Sequence, residues 1–330
     1  MEAVTTAPTG IASLAKPRGS RIKTKTELAK VAMAFATAAK AENTRKAYRT
    51  DWRTFVAWCE QHDVSALPAD PEHVALYLAD RASDAKVSTI SRALVAISQA
   101  HVLANLPSPR SAGVVRQVLQ GIRRKLGTAK RQARPLLPRD LRELLAVLPS
   151  SLIGARDRSL LTLGFSGAFR RSELIGLNVD DLAFEPDGLK VVLRRSKTDQ
   201  EGKGRVVGIP YGAHPETCPV RLAQKWLETS ALAEGPLYRQ VSKLGRLGAK
   251  RLNGRSISKL IKRRAHEAGL DPELLSGHSL RSGLVTAAAK AGKSISSIKR
   301  QTGHRSIAMV EEYIRNAHVF EDNAFSGLDL

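Results

Sequence analysis

The second half of the sequence holds a scattered set of residues whose chemistry suits a phosphate. Arg170 stands in Gly167-Ala168-Phe169-Arg170-Arg171-Ser172-Glu173-Leu174, and Lys197 stands in Ser196-Lys197-Thr198. His278 and Arg281 are three residues apart, which puts them on one face of a helix. His304 follows Thr302-Gly303, and Tyr313 comes nine residues later. A guanidinium matches phosphate geometry with two donors. An imidazole moves protons near neutral pH. A phenol, with a pKa of about 10, attacks only if something takes its proton. Singly, each residue has an ordinary explanation: Arg170 as a surface arginine, His278 as a helix cap, Tyr313 as a core tyrosine beside Val310 and Ile314.

Competing chemistries find no support. There is no Walker loop and no dinucleotide fingerprint. Gly164-Phe165-Ser166-Gly167 misses the nucleophile-elbow spacing, and His266-Glu267 lacks the second histidine of a zinc-protease helix. Asp180-Asp181 reads as a solvated pair rather than a metal site. The expectation is therefore no metal and no organic cofactor. Cys59 and Cys218 lie far apart, which argues against a disulfide framework or a cysteine zinc site and for a reducing, cytoplasmic compartment.

The elements that must position these residues are mainly helical. Residues 1–27 read as a mobile basic tail. Residues 28–126 read as a helical domain. In it Thr44 caps a helix whose aromatics Tyr48, Trp52, Phe55 and Trp58 recur at three- and four-residue spacing. A break at Leu67-Pro68 precedes helices near 72–82, 88–104 and 111–126, and no strand is evident. Residues 127–138, with Gly127, Pro135, Pro138 and several basic residues, read as a linker. Residues 139–330 form the second domain. Helical periodicity runs over 141–148 and 157–175, then two short strands at 189–193 and 205–209 flank a hairpin loop that carries Lys197. Helices return at 219–230, 256–268, 279–291, 294–302 and 306–315.

Charge points to a partner. Lys and Arg number 53 against 31 Asp and Glu, a formal net charge of +22. Such a chain repels itself unless a polyanion relieves it, with nucleic acid ahead of an anionic membrane surface. No stretch approaches the roughly 18 apolar residues of a membrane span, and the N-terminus shows no secretory leader.

Together, Arg170-Arg171-Ser172-Glu173-Leu174, Ser196-Lys197-Thr198, His278-x-x-Arg281, Thr302-Gly303-His304 and Tyr313 resemble the tyrosine recombinase (phage integrase) family. The 23 residues from Arg281 to His304 and the 9 from His304 to Tyr313 fit that pattern. Tyr313-Ile314-Arg315-Asn316 and Trp58-Cys59 are Cre-like, although Cre-like members carry Trp where His304 stands. The resemblance implies a mainly α fold: a helical, SAM-like core-binding domain, then a mostly α catalytic domain with a small antiparallel β-sheet. It implies site-specific recombination by reversible transesterification through a 3′-phosphotyrosyl link at Tyr313. Arg170, Arg281 and His304 would hold the phosphate oxygens, Lys197 would act as general acid, His278 as base or proton shuttle, and Glu173 would orient Arg170 or His278. Strand exchange would pass through a Holliday junction in a homotetramer on two synapsed sites of double-stranded DNA. The short tail after residue 316 would contact a neighbouring subunit.

DNA contacts are expected from both domains. Arg45, Lys46 and Arg49 on one helix, and Ser88, Ser91 and Arg92 on another, resemble groove-facing positions. Arg123 and Arg124 suit phosphates. From Arg239 to Arg264 ten basic residues occur without an acid. Within that run Arg239, Lys243 and Lys259 are expected to bind DNA, and Arg255 and Ser258 suit base edges. The basic linker would let the two domains close round a duplex as a clamp. Two other readings share these residues: a type IB topoisomerase-like relaxase, and a DNA-binding regulator without catalysis.

Overall fold

The computed structural model describes residues 42–128, 133–194, 204–304 and 306–317, without the side chains of residues 316 and 317. Lys197 with its neighbours Ser196 and Thr198, the tail 1–27 and the segment after residue 317 lie outside the described residues. The chain divides into two compact units, meeting in sequence between residues 129 and 130.

The first unit contains α1 (Glu42–Gln61), α2 (Pro71–Arg81), α3 (Val87–Leu103) and α4 (Gly113–Leu126). Thr44 does not cap α1; it lies inside the helix, whose described start is Glu42. α2 starts on an Asp70 cap that accepts from the Glu72 amide, with Pro71 at the first helical position. α1 packs on α3 and α2 on α4. Phe55, Tyr77, Leu78, Ile90 and Ile97 fill the middle, and Phe55 meets Tyr77 edge-on at 4.9 Å between ring centroids. No strand occurs among the described residues of this unit.

The second unit opens with an extended stretch that the sequence suggested was linker. From Arg134 onward it is strapped to the unit instead: the Arg134 amide donates to Leu274 O and the Leu136 amide to Ser279 O, and Leu136 is fully buried. There follow α5 (Pro138–Ala146), α6 (Leu152–Ser166) and α7 (Arg171–Gly176). The helix expected over 157–175 is interrupted after Ser166. Gly167 has the Phe169 ring folded back on it so closely that a Cβ would sit 2.2 Å from a ring carbon. Ala168 then takes a left-handed φ of 48°. That turn ends α6 and presents Arg170.

β1 (Leu182–Glu185), β2 (Gly188–Leu193) and β3 (Arg205–Pro210) form an antiparallel sheet in that order. Leu189, Val191 and Leu193 point inward by strict alternation, and Val191 pairs with Val207. α8 (Pro219–Ser230) packs on α6. A second, two-stranded sheet, β4 (Arg239–Val241) with β5 (Leu247–Arg251), lies in the basic run, where the sequence suggested no strand. α9 (Gly254–Glu267), α10 (Ser279–Lys290), α11 (Ile295–Thr302) and α12 (Ile307–Ala317) complete the unit. Val285 and Ala289 of α10, Ile298 of α11 and Val310 of α12 form a small separate core. Among the described residues no helix is long and apolar enough to cross a membrane.

Candidate active site

Arg170 sits at the N-cap of α7, and Glu173 closes a reciprocal bond to it: Oε2 accepts from the Arg170 amide at 2.9 Å and Oε1 from Nη1 at 2.6 Å. Glu173 is buried. It fixes Arg170 while leaving that arginine's other donors uncommitted to it.

Arg281, on the first turn of α10, is buried. Its Nη1 donates to Ala168 O and to Thr302 O, at 2.7 Å each. One nitrogen thus joins the turn that presents Arg170 to the end of α11. Its Nη2 is buried and finds no hydrogen-bond partner among the described residues. Burial, then the charge of Arg170, holds the Arg281 pKa down at about 10.

His278 precedes α10, and its Nε2 lies 3.1 Å from the Tyr313 hydroxyl. Desolvation, then Arg281, Arg170 and Arg171, lower the His278 pKa, so the ring is neutral at pH 7. Tyr313 is carried on α12, which the buried Val310 anchors. Desolvation raises the phenol pKa while Arg281 opposes it. His304 is buried at the end of the α11 loop, with its ring 6.3 Å from that of Tyr313 and Nδ1 2.8 Å from Thr302 Oγ1. Burial and the charges of Arg281 and Arg170 hold its pKa at about 3. Arg170, Glu173, His278, Arg281, His304 and Tyr313, spread over 144 residues of sequence, therefore belong to one cluster. Lys197 falls outside the described residues.

Two residues of the site were given no role by the sequence: Arg205, which carried no signal, and Thr302, which stood only as part of Thr302-Gly303-His304. Arg205, the first residue of β3, donates from Nη1 to Gln301 O at 2.8 Å and places Nη2 3.7 Å from Glu173 Oε2. Gly303 leaves room for that guanidinium, since a Cβ there would lie 2.9 Å from Arg205 Nε. Thr302 touches Arg281 through its carbonyl and His304 through its hydroxyl.

Residues 134–319 match the phage integrase family, and residues 35–104 match the phage integrase N-terminal SAM-like domain. An integrase/recombinase described as a XerD homolog, from Selenomonas ruminantium, is 42% identical over 292 residues, 87% of this chain and 85% of the relative. The chain belongs to the phage integrase family. It is a tyrosine recombinase, an enzyme of DNA strand exchange. The tyrosine recombinase XerC of Pelobacter propionicus is 29% identical over 283 residues, covering 82% of this chain and 84% of that one. Among solved structures, a Tn1549 transposon integrase in complex with transposon right end DNA superposes with a TM-score of 0.60 at 16% identity, over 86% of this chain and 92% of that chain. A lambda integrase dimer bound to a core site gives 0.57 at 17%, over 87% and 93%. Both share the fold of this recombinase. The Cre-like stretches are local features beside these Xer-type relatives.

The positions expected to meet DNA sort into two groups in this integrase. Arg49, Ser88, Arg123, Arg124, Lys243, Arg255 and Lys259 are exposed. Lys46 is exposed and paired with Glu42 at 2.6 Å, and Arg45 and Ser91 are half-buried. Arg255 and Lys259, four apart on α9, face outward while Ile257, Leu260 and Ile261 face the core. Three of the expected positions also bond within the protein. Arg92 forks its Nε and Nη2 onto both oxygens of the buried Asp51, joining α3 to α1. Arg239 donates to Glu234 O at 2.6 Å and Pro236 O at 3.3 Å, which holds a turn. Ser258 is half-buried; its Oγ accepts from the Gly277 amide and from Arg171 Nη1, at 3.3 Å each, and docks α9 beside the His278 loop.

Proposed function

We propose that this recombinase cleaves DNA by attack of the Tyr313 hydroxyl on a backbone phosphate. The observation that carries the reading is the bond between the Tyr313 hydroxyl and a neutral His278 Nε2, within the pocket of Arg170, Arg281 and His304. His278 takes the phenol proton as the oxygen attacks phosphorus. Negative charge grows on the non-bridging oxygens, where Arg170 and the unpartnered Nη2 of Arg281 receive it, with His304 adding a donor. Loss of one such donor costs roughly 10²–10³ in rate. The leaving 5′-oxygen takes a proton from Lys197, and Tyr313 keeps a 3′-phosphotyrosyl bond. A second 5′-hydroxyl reverses the step, so bond energy is conserved and no cofactor is consumed.

Double-stranded DNA carrying a specific site is the proposed partner, with two sites synapsed in a homotetramer and exchange through a Holliday junction. The net charge of +22, the outward Arg255 and Lys259, and neighbours solved on DNA support the DNA assignment. The test begins by sequencing DNA recovered in covalent complex with the protein. On a nicked substrate of that sequence, the wild type forms an SDS-resistant adduct and Tyr313→Phe forms none while binding equally well. Adduct formation by the phenylalanine variant would sink the proposal.

A further inference from the structure

We propose that Thr302 is a proton switch: its hydroxyl decides which ring nitrogen of His304 carries hydrogen, and turns His304 into a donor only when a phosphate occupies the pocket. This rests on the reading above that His304 serves the scissile phosphate.

Thr302 is fully buried at the end of α11. Its hydroxyl has one hydrogen and two acceptors at nearly equal range, Ile298 O at 2.7 Å and His304 Nδ1 at 2.8 Å. It serves one at a time. When it donates to Ile298 O, its lone pair accepts from Nδ1–H of His304, and Nε2 is bare. Two hydrogen bonds form. When it donates to Nδ1, the ring hydrogen sits on Nε2 and only one of the two forms, because Ile298 O keeps just its helical amide partner. The free pocket therefore favours the Nδ1–H form by one hydrogen bond.

Nε2 is then the ring nitrogen left for a ligand, and a bare lone pair there repels a phosphate oxygen. Two remedies exist. With the His304 pKa held at about 3, protonating the ring at pH 7 demands about 10⁴-fold greater proton affinity. Swinging one hydroxyl from Ile298 O to Nδ1 gives up one hydrogen bond, about tenfold in equilibrium. The swing costs one hydrogen bond, whereas protonation works against burial and the charges of Arg281 and Arg170. One proton leaves Nδ1 to water and one is taken from water at Nε2, so His304 stays neutral. The same residue holds Arg281 through its carbonyl, at 2.7 Å, so the switch sits on the frame of the phosphate clamp.

The experiment is ¹⁵N NMR of histidine and arginine side chains on the uniformly labelled full chain at pH 7, free and with saturating inorganic phosphate as the probe, His304, Arg170 and Arg281 being assigned through His304→Gln, Arg170→Lys and Arg281→Lys. The expected result is a neutral Nδ1–H ring in the free protein and a neutral Nε2–H ring with phosphate. Thr302→Ser keeps the change. Thr302→Val loses it, because without the hydroxyl nothing holds the free ring in the Nδ1–H form. An Nε2–H ring in the free protein overturns the switch, as does a doubly protonated ring with phosphate. An unchanged His304 while the Arg170 and Arg281 side-chain signals respond overturns the switch alone. Silent Arg170 and Arg281 signals overturn the phosphate pocket, and the switch with it.

Discussion

Two neutral histidines stand beside two cationic arginines, and that arrangement has a pH signature. Above about pH 6.5 both folded and unfolded chains carry His304 neutral. As pH falls below 6.5 the unfolded chain binds a proton that the folded chain refuses until about pH 3, so stability falls with acid across that window. His278, also lowered, adds to the same slope. Thermal unfolding of the wild type should shift to lower temperature from pH 6.5 toward pH 4, and His304→Asn should flatten the slope; equal slopes would contradict the buried neutral ring. Under the proposed mechanism, in which His278 is the base, adduct formation at subsaturating DNA should lose rate in acid with a midpoint below 6.5. At this scale the sequence was most legible where side-chain type is the function. Arg170, His278, Arg281, His304 and Tyr313 declare themselves by order and spacing. Arg205 did not, and Thr302 showed only as a motif neighbour of His304, because their parts come from a carbonyl, a hydroxyl and a strand start that only the folded chain brings together.

The element that holds α10 in place is the strap of residues 133–137. Leu136 O lies so close that a Cβ on Gly283 would stand 1.9 Å from it. Gly283 is therefore a close-approach glycine, and α10 carries both Arg281 and, at its cap, His278. Gly283→Ala should destabilise the catalytic unit by about 2–3 kcal/mol through overpacking, and Leu136→Ala by about 3 kcal/mol through lost burial and a cavity; calorimetry on each variant checks both. A wild-type melting temperature for Gly283→Ala would refute the contact. Helices with long periodic faces, such as α1, α8 and α9, were readable within a few residues. The two-stranded sheet was not, because three residues of β4 give no alternation to count and the basic run masked it. The break between α6 and α7 was missed because it rests on a left-handed Ala168 and a Phe169 ring folded back on Gly167, a local turn whose breaker in sequence is one glycine.

Charge acts on the molecule as a whole, and the structure trims the tally. Of the ten basic residues from Arg239 to Arg264, Arg239, Arg251 and Arg264 are held by backbone carbonyls, Asn178 or Glu267. The number of phosphates neutralised should be smaller than the sequence count suggests. Log affinity against log salt should fall with a slope of about −0.9 per phosphate neutralised. Lys259→Ala should reduce that slope by about one contact, whereas Arg251→Ala should lower the melting temperature of the catalytic unit and leave the slope nearly unchanged. Equal slope losses for both would erase the distinction between surface and scaffold arginines.

The two carbonyls gathered by Arg281 Nη1 have a consequence for what its loss would do. Replacing Tyr313 by phenylalanine removes one oxygen and leaves every helix its packing. Replacing Arg281 removes a charge and also the tie between the α6–α7 turn and the end of α11. Under the proposed mechanism the two losses therefore separate: Tyr313→Phe should end cleavage at an unchanged melting temperature, whereas Arg281→Ala should lower the melting temperature as well.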